Sequence, residues 1–154
     1  MYPWFMGMPR MNIVFVNRER ELAALERAGA SVGLAVVYGR RRIGKTSLLN
    51  RWLERQGGLY AQAIEAGPPL QLDQLFQDVK SGLDAPVAPR GWDDFLAILD
   101  HQRRRVVLCI DEFPYLVQSD PSVPSRLQRW WDHRTPRNLL LILCGSSRRM
   151  MHSA

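Results

Sequence analysis

Gly39-Arg40-Arg41-Arg42-Ile43-Gly44-Lys45-Thr46 has the spacing G-x-x-x-x-G-K-[ST]. Glycines at both ends of such a loop let the backbone bend closely around phosphate oxygens, so that successive N–H groups converge on them. A helix opening near Lys45 adds its positive end to the same place. Lys45 is placed to reach β- and γ-phosphates as a point charge. The Thr46 hydroxyl is placed to ligate Mg²⁺. The run from Gly39 through Ser47 is thus the expected cofactor-binding segment, and its ligands are ATP and Mg²⁺. Arg40, Arg41 and Arg42 belong to this loop and add positive charge. Most of their side chains are expected to face solvent, and none is assigned a catalytic role.

A second group of residues completes that chemistry. Val106-Val107-Leu108-Cys109-Ile110 is an apolar run ending in the acid pair Asp111-Glu112. A carboxylate at the end of a buried strand suits a metal ligand, and Asp111 takes that role. Glu112 is one residue on and suits a base that orients or deprotonates an attacking water. The adjacent acid favours ATP hydrolysis over GTP hydrolysis, and the Asn-Lys-x-Asp pattern that reads guanine is missing. Other chemistries fail on spacing. His101, His133 and His152 form no ligand pattern with one another or with Cys109 and Cys144. Both cysteines lie within apolar runs and read as buried, reduced thiols, which points to a reducing cytoplasmic setting.

Residues so far apart in sequence need elements to bring them together. Gly33 to Tyr38 is continuously apolar, as are Arg105 to Ile110 after its first residue and Asn138 to Cys144 after its own. Such runs suit strands buried on both faces, as parallel sheets require. Leu59 to Ile64 is a further candidate strand, and Met11 to Val16 a short extended entry. Between them lie helical stripes. Leu48, Leu49, Trp52 and Leu53 share one face before Gly57-Gly58. Leu72, Leu75, Phe76 and Val79 follow Pro68-Pro69. Trp92, Phe95, Leu96 and Leu99 form the next stripe, and Val123, Leu127, Trp130 and Trp131 the last. The segment 82–91, with Pro86 and Pro89, is a loop. Strands alternating with helices predict an α/β fold whose mostly parallel sheet is covered on both faces, with right-handed crossovers.

The chain has 154 residues and a net charge of +6, from 21 Lys and Arg against 15 Asp and Glu. That length holds one domain and a real core. The basic balance favours anionic partners: a nucleotide, DNA or an acidic protein face. No apolar run approaches the roughly 20 residues that span a bilayer, so no membrane role is expected. The first 11 residues read as an N-terminal extension with a non-native start, leaving 12–154 as the core.

Four segments resemble the archaeal-type AAA ATPases, a branch of the AAA+ and STAND-like P-loop proteins. They are NREREL (Asn17 to Leu22), YGRRRIGKTSLL (Tyr38 to Leu49), LCIDEFPYL (Leu108 to Leu116) and LILCGSS (Leu141 to Ser147), and GWDDFLAIL (Gly91 to Leu99) is similar too. The resemblance implies a three-layer αβα P-loop NTPase core. It places the strand ending at Cys144 between the P-loop strand and the strand ending at Asp111. It also implies that Ser146, with Ser147 as runner-up, is the polar residue that senses the γ-phosphate, and that NREREL lies near the adenine. The family continues into a fifth core strand, a helical lid and further domains. On that comparison this chain is expected to be a core truncated before the fifth strand and lid. Its P-loop strand is then expected at an exposed edge, with weak ATP binding and self-association.

The resulting function is ATP binding and Mg²⁺-dependent ATP hydrolysis by a core that drives or switches a C-terminal effector domain. Two alternatives remain open at this point: a STAND-like nucleotide switch with little turnover, and a DNA-associated ATPase helper.

Overall fold

The computed structural model describes residues 13–16, 33–39, 45–133 and 139–146, with side chains from 50 to 133 and from 139 to 145. Strands β1 (Ile13–Val16) and β2 (Gly33–Gly39) come first, followed by helix α1 (Lys45–Gln56). Then come β3 (Leu59–Gln62), α2 (Pro68–Val79), a 3₁₀ turn over Lys80–Gly82, and α3 (Trp92–Asp100). The described chain continues with β4 (Val106–Asp111), α4 (Pro114–Ser119), α5 (Val123–His133) and β5 (Leu139–Ser146).

Local sequence accounts for most of these boundaries. Gly57 has φ 65°, a left-handed conformation that favours glycine. It ends α1 in a Schellman motif: Gly57 N–H donates to Glu54 O at 3.1 Å, and Gly58 N–H to Leu53 O at 2.7 Å. Helix α2 opens with prolines in its first turn, where no N–H is needed. Helix α3 carries Asp93 and Asp94 in its first turn, against the positive end of the helix. The Asp94 carboxylate also accepts from the Arg90 N–H at 3.0 Å.

The five strands form one sheet in the order β1-β2-β5-β4-β3, and every neighbouring pair is parallel. Strand β5 therefore sits between β2 and β4, as the resemblance implies. Side chains of β4 and β5 alternate between two cores, the period of a strand. Val106, Leu108 and Ile110, with Leu139, Leu141 and Leu143, pack against α2 to α5. Val107 and Cys109, with Leu140, Ile142 and Cys144, pack against Trp52 and Leu53 of α1. Helices thus cover both faces, which makes three layers. Cys109 and Cys144 lie on neighbouring strands as buried thiols with no disulfide between them, their sulfurs 3.4 Å apart.

One expectation is overturned. Strand β2 is not at an exposed edge, because Ile13–Val16 pairs with it in parallel from Leu34 to Val37. The reason lies in the residues: Ile13-Val14-Phe15-Val16 is a run of β-branched and aromatic side chains, suited to a ladder rather than to an isolated entry. Helix α4 was not foreseen either. Six residues starting at a proline are too short to show a helical period.

At the other edge, β3 is closed by side chains. Gln62 N–H donates to Asp78 Oδ2 at 3.1 Å. Buried Gln71 accepts from Ile64 N–H at 2.6 Å through Oε1 and donates through Nε2 to Ile64 O. Among the described residues, no helix is long and apolar enough to cross a membrane.

Candidate nucleotide site

Parallel pairing puts the carboxyl ends of all strands on one edge of the sheet. Gly39, Gln62, Asp111 and Ser146 are the last residues of β2, β3, β4 and β5. Gly39 is in register with Ser146, and Gln62 with Asp111. Residues scattered over the sequence thus meet at the edge where open α/β sheets bind ligands. Helix α1 begins at Lys45, so the expected phosphate loop joins the end of a central strand to a helix N-terminus. Arg40, Arg41, Arg42, Ile43 and Gly44 lie outside the described residues, as does Ser147. Lys45, Thr46 and Ser47 are placed as the first turn of α1, and Ser146 as the end of β5. Their side chains are not among those described.

Asp111 is described in full. It is half-buried, and both of its carboxylate oxygens are held. The Tyr60 hydroxyl donates to Oδ2 at 2.6 Å. The Glu112 backbone N–H donates to Oδ1 at 2.8 Å. Tyr60 is itself kept protonated well above the usual phenol range. Burial is the main cause, followed by its hydrogen bond to Asp111 and by the carboxylate's charge. It is therefore a neutral donor across the physiological range.

The backbone turns sharply at the next residue. Glu112 has φ 54°, the left-handed region, and is the one non-glycine residue there among those described. Such a conformation costs on the order of 1–3 kcal/mol and persists only where the surroundings enforce it. Here they do. Phe113 is fully buried, and its N–H donates to Cys144 O at 2.9 Å. Tyr115 N–H donates back to Glu112 O at 3.0 Å, which starts α4. On the other side, Ala63 N–H donates to Asp111 O at 2.9 Å. The end of β4 is thus tied to both neighbouring strands, and half-buried Glu112 leaves the strand direction immediately after Asp111.

Asp111 fits a hard divalent cation. A carboxylate oxygen is the donor Mg²⁺ prefers, and Mg²⁺ is commonly held by one or two carboxylates plus phosphate oxygens rather than by an all-protein cage. Both partners of Asp111 are neutral, and among the described residues no cation pairs with it. Each oxygen keeps a free lone pair after its one hydrogen bond.

Sequence reasoning missed Tyr60. Its place follows only from register. Tyr60 is opposite Cys109, so it shares a sheet face with the residue two further along β4, which is Asp111. No spacing within the chain carries that information.

Comparison with known proteins agrees with this arrangement. Residues 15–154 match the family described as an ATPase domain predominantly from Archaea. A Methanocaldococcus jannaschii protein of uncharacterised function is 33% identical over 141 residues, which is 90% of this chain and 31% of that protein. An uncharacterised ATP-binding protein of the same organism is 46% identical over 46 residues, 29% of this chain and 78% of the relative. The Aeropyrum pernix ORC2 protein, in ADPNP-ADP complexes, superposes with a TM-score of 0.61 at 20% identity, covering 86% of this chain and 42% of that one. A Walker-type ATPase of Pyrococcus abyssi gives a TM-score of 0.59 at 20% identity over 83% of this chain and 44% of that one. These two share its fold. The chain spans about a third of the first relative's length and less than half of either structure's. With residues 15–154 matched, this chain belongs to the family of ATPase domains found predominantly in Archaea.

Proposed function

We propose that this chain binds ATP at the carboxyl edge of its sheet and hydrolyses it with Mg²⁺. The observation that carries this reading is the end of β4: an acid held by two neutral donors, followed at once by a second acid on a left-handed turn. The roles follow from the residue types. The loop from Gly39 to Gly44 offers backbone N–H groups to the phosphates. Lys45, in the first turn of α1, supplies a positive charge to the β- and γ-phosphates. Thr46 and Asp111 would hold the metal, Ser47 would adjoin the phosphates, and Ser146 would read the γ-phosphate from the neighbouring strand. Mg²⁺, when bound, supplies charge neutralisation across the phosphate oxygens. Glu112 accepts a proton from the attacking water as its oxygen bonds to the γ-phosphorus and ADP departs. Arg40, Arg41 and Arg42 raise the local positive potential without taking part in the reaction. Where an effector domain accompanies such a core, we propose that this turnover drives or switches it.

The Glu112→Gln variant tests the assignment of the base. It should bind ATP as the wild type does, while turnover falls by about 10²- to 10⁴-fold, the usual contribution of a positioned base. Single-turnover hydrolysis alongside equilibrium nucleotide binding reads both. Unchanged turnover would remove Glu112 from the reaction.

A further inference from the structure

Tyr60 lies outside every motif that the nucleotide site requires, yet it makes the shortest side-chain contact to Asp111, 2.6 Å from its hydroxyl to Oδ2. Its ring packs against the core formed by Trp52, Leu53, Val107, Cys109, Leu140, Ile142 and Cys144, which fixes where the hydroxyl sits. A phenylalanine would fill that ring volume equally well, so packing alone gives no reason for the oxygen. The hydroxyl and the Glu112 N–H grip different oxygens of the same carboxylate. Two donors on two oxygens define the plane of the group as well as its position. Because both donors are neutral, the carboxylate keeps its full charge for a cation. A charged partner such as lysine would hold it as well and cancel that charge.

We propose that Tyr60 is a positioning residue for Asp111, holding the carboxylate in the single orientation that receives Mg²⁺ with the nucleotide. This rests on the nucleotide-site reading above. Partners of this kind, which touch a metal ligand rather than the metal, commonly change metal affinity by about 10- to 100-fold when removed. The effect belongs to the metal-dependent part of binding alone. Nucleotide contacts made by the loop and by Lys45 do not pass through Tyr60.

The test is Tyr60→Phe in the full 154-residue chain. Binding of a fluorescent ATP analogue is titrated first in EDTA and then with rising Mg²⁺, and thermal melting is followed by circular dichroism. Affinity in EDTA should match the wild type, while the Mg²⁺ concentration giving half of the metal-dependent gain rises about tenfold. Asp111→Asn should lose most of that gain, and adding Tyr60→Phe to it should change nothing further, since the hydroxyl acts through the carboxylate. A wild-type Mg²⁺ midpoint in Tyr60→Phe would overturn the proposal while leaving the nucleotide site standing. An equal loss of affinity in EDTA, or a second loss on top of Asp111→Asn, would also overturn it, since Tyr60 would then act on the fold. Failure of the nucleotide-site reading looks different: no binding to the wild type at all, or binding that Lys45→Ala leaves unchanged.

Discussion

Asp111 and Glu112 are adjacent in sequence and differ entirely in how they are held. Asp111 is fixed by Tyr60 and by the backbone of Glu112, whereas Glu112 is set by a left-handed turn that the buried Phe113 enforces. The acid pair and its strand are legible in the sequence, because an apolar run ending in two carboxylates carries its own meaning. The Tyr60 contact and the turn are not legible, since both depend on cross-strand register and on the Phe113 bond to Cys144. The Tyr60 contact has a consequence for stability. Its phenol holds its proton above the usual range in the folded chain, while in the unfolded chain it ionises near pH 10. Above about pH 10 the unfolded state therefore binds fewer protons than the folded state, so this group's contribution is intact below that pH and is lost as pH rises past it. Denaturant melts of wild type and Tyr60→Phe between about pH 8 and pH 11, roughly two units below to one above the free phenol value, should diverge only at the alkaline end. The wild type should lose stability more steeply there. Parallel slopes would show that burial and the bond to Asp111 do not raise the phenol above its usual range.

At the scale of elements, the stripes of α2, α3 and α5 and the apolar runs of β4 and β5 were legible because each carries one clear period. The stripe of Trp92, Phe95, Leu96 and Leu99 lies within one helix, Trp92–Asp100. Helix α4 was not legible at six residues, and the pairing of Ile13–Val16 was not, since a strand of four residues has too little pattern to separate it from an extended entry. The paired glycines after α1 divide one task between them. Gly57 supplies the left-handed conformation, with open space where a Cβ would point, while a Cβ on Gly58 would meet Leu53 Cδ2 and Val107 O at 2.8 and 3.2 Å. Gly57→Ala should therefore cost only the backbone term, about 1–2 kcal/mol. Chemical denaturation of wild type and Gly57→Ala checks this. A neutral Gly57→Ala would mean that α1 does not end in the Schellman motif. The end of α1 matters to the site because Trp52 and Leu53 anchor that helix under the sheet while its first turn carries Lys45.

For the whole molecule, alternation of strands and helices was enough to predict a parallel sheet with helices on both faces. It was not enough to give strand order. Apolar runs buried on both sides look alike, so only the resemblance to archaeal-type ATPases placed β5 between β2 and β4, as observed. The same comparison led to a P-loop strand at the rim. Strand β1 corrects this, leaving β1 and β3 as the rims and β2 paired on both sides. Strand order is what gathers Gly39, Asp111 and Ser146 on one edge, and the central claim is that this edge is an ATP site. Calorimetric titration of the full chain with ATP in the presence of Mg²⁺, beside its Lys45→Ala variant, tests that claim most directly. The account predicts saturable one-to-one binding by the wild type and its loss in Lys45→Ala with the fold retained. Equal ATP affinity in the two proteins would contradict it.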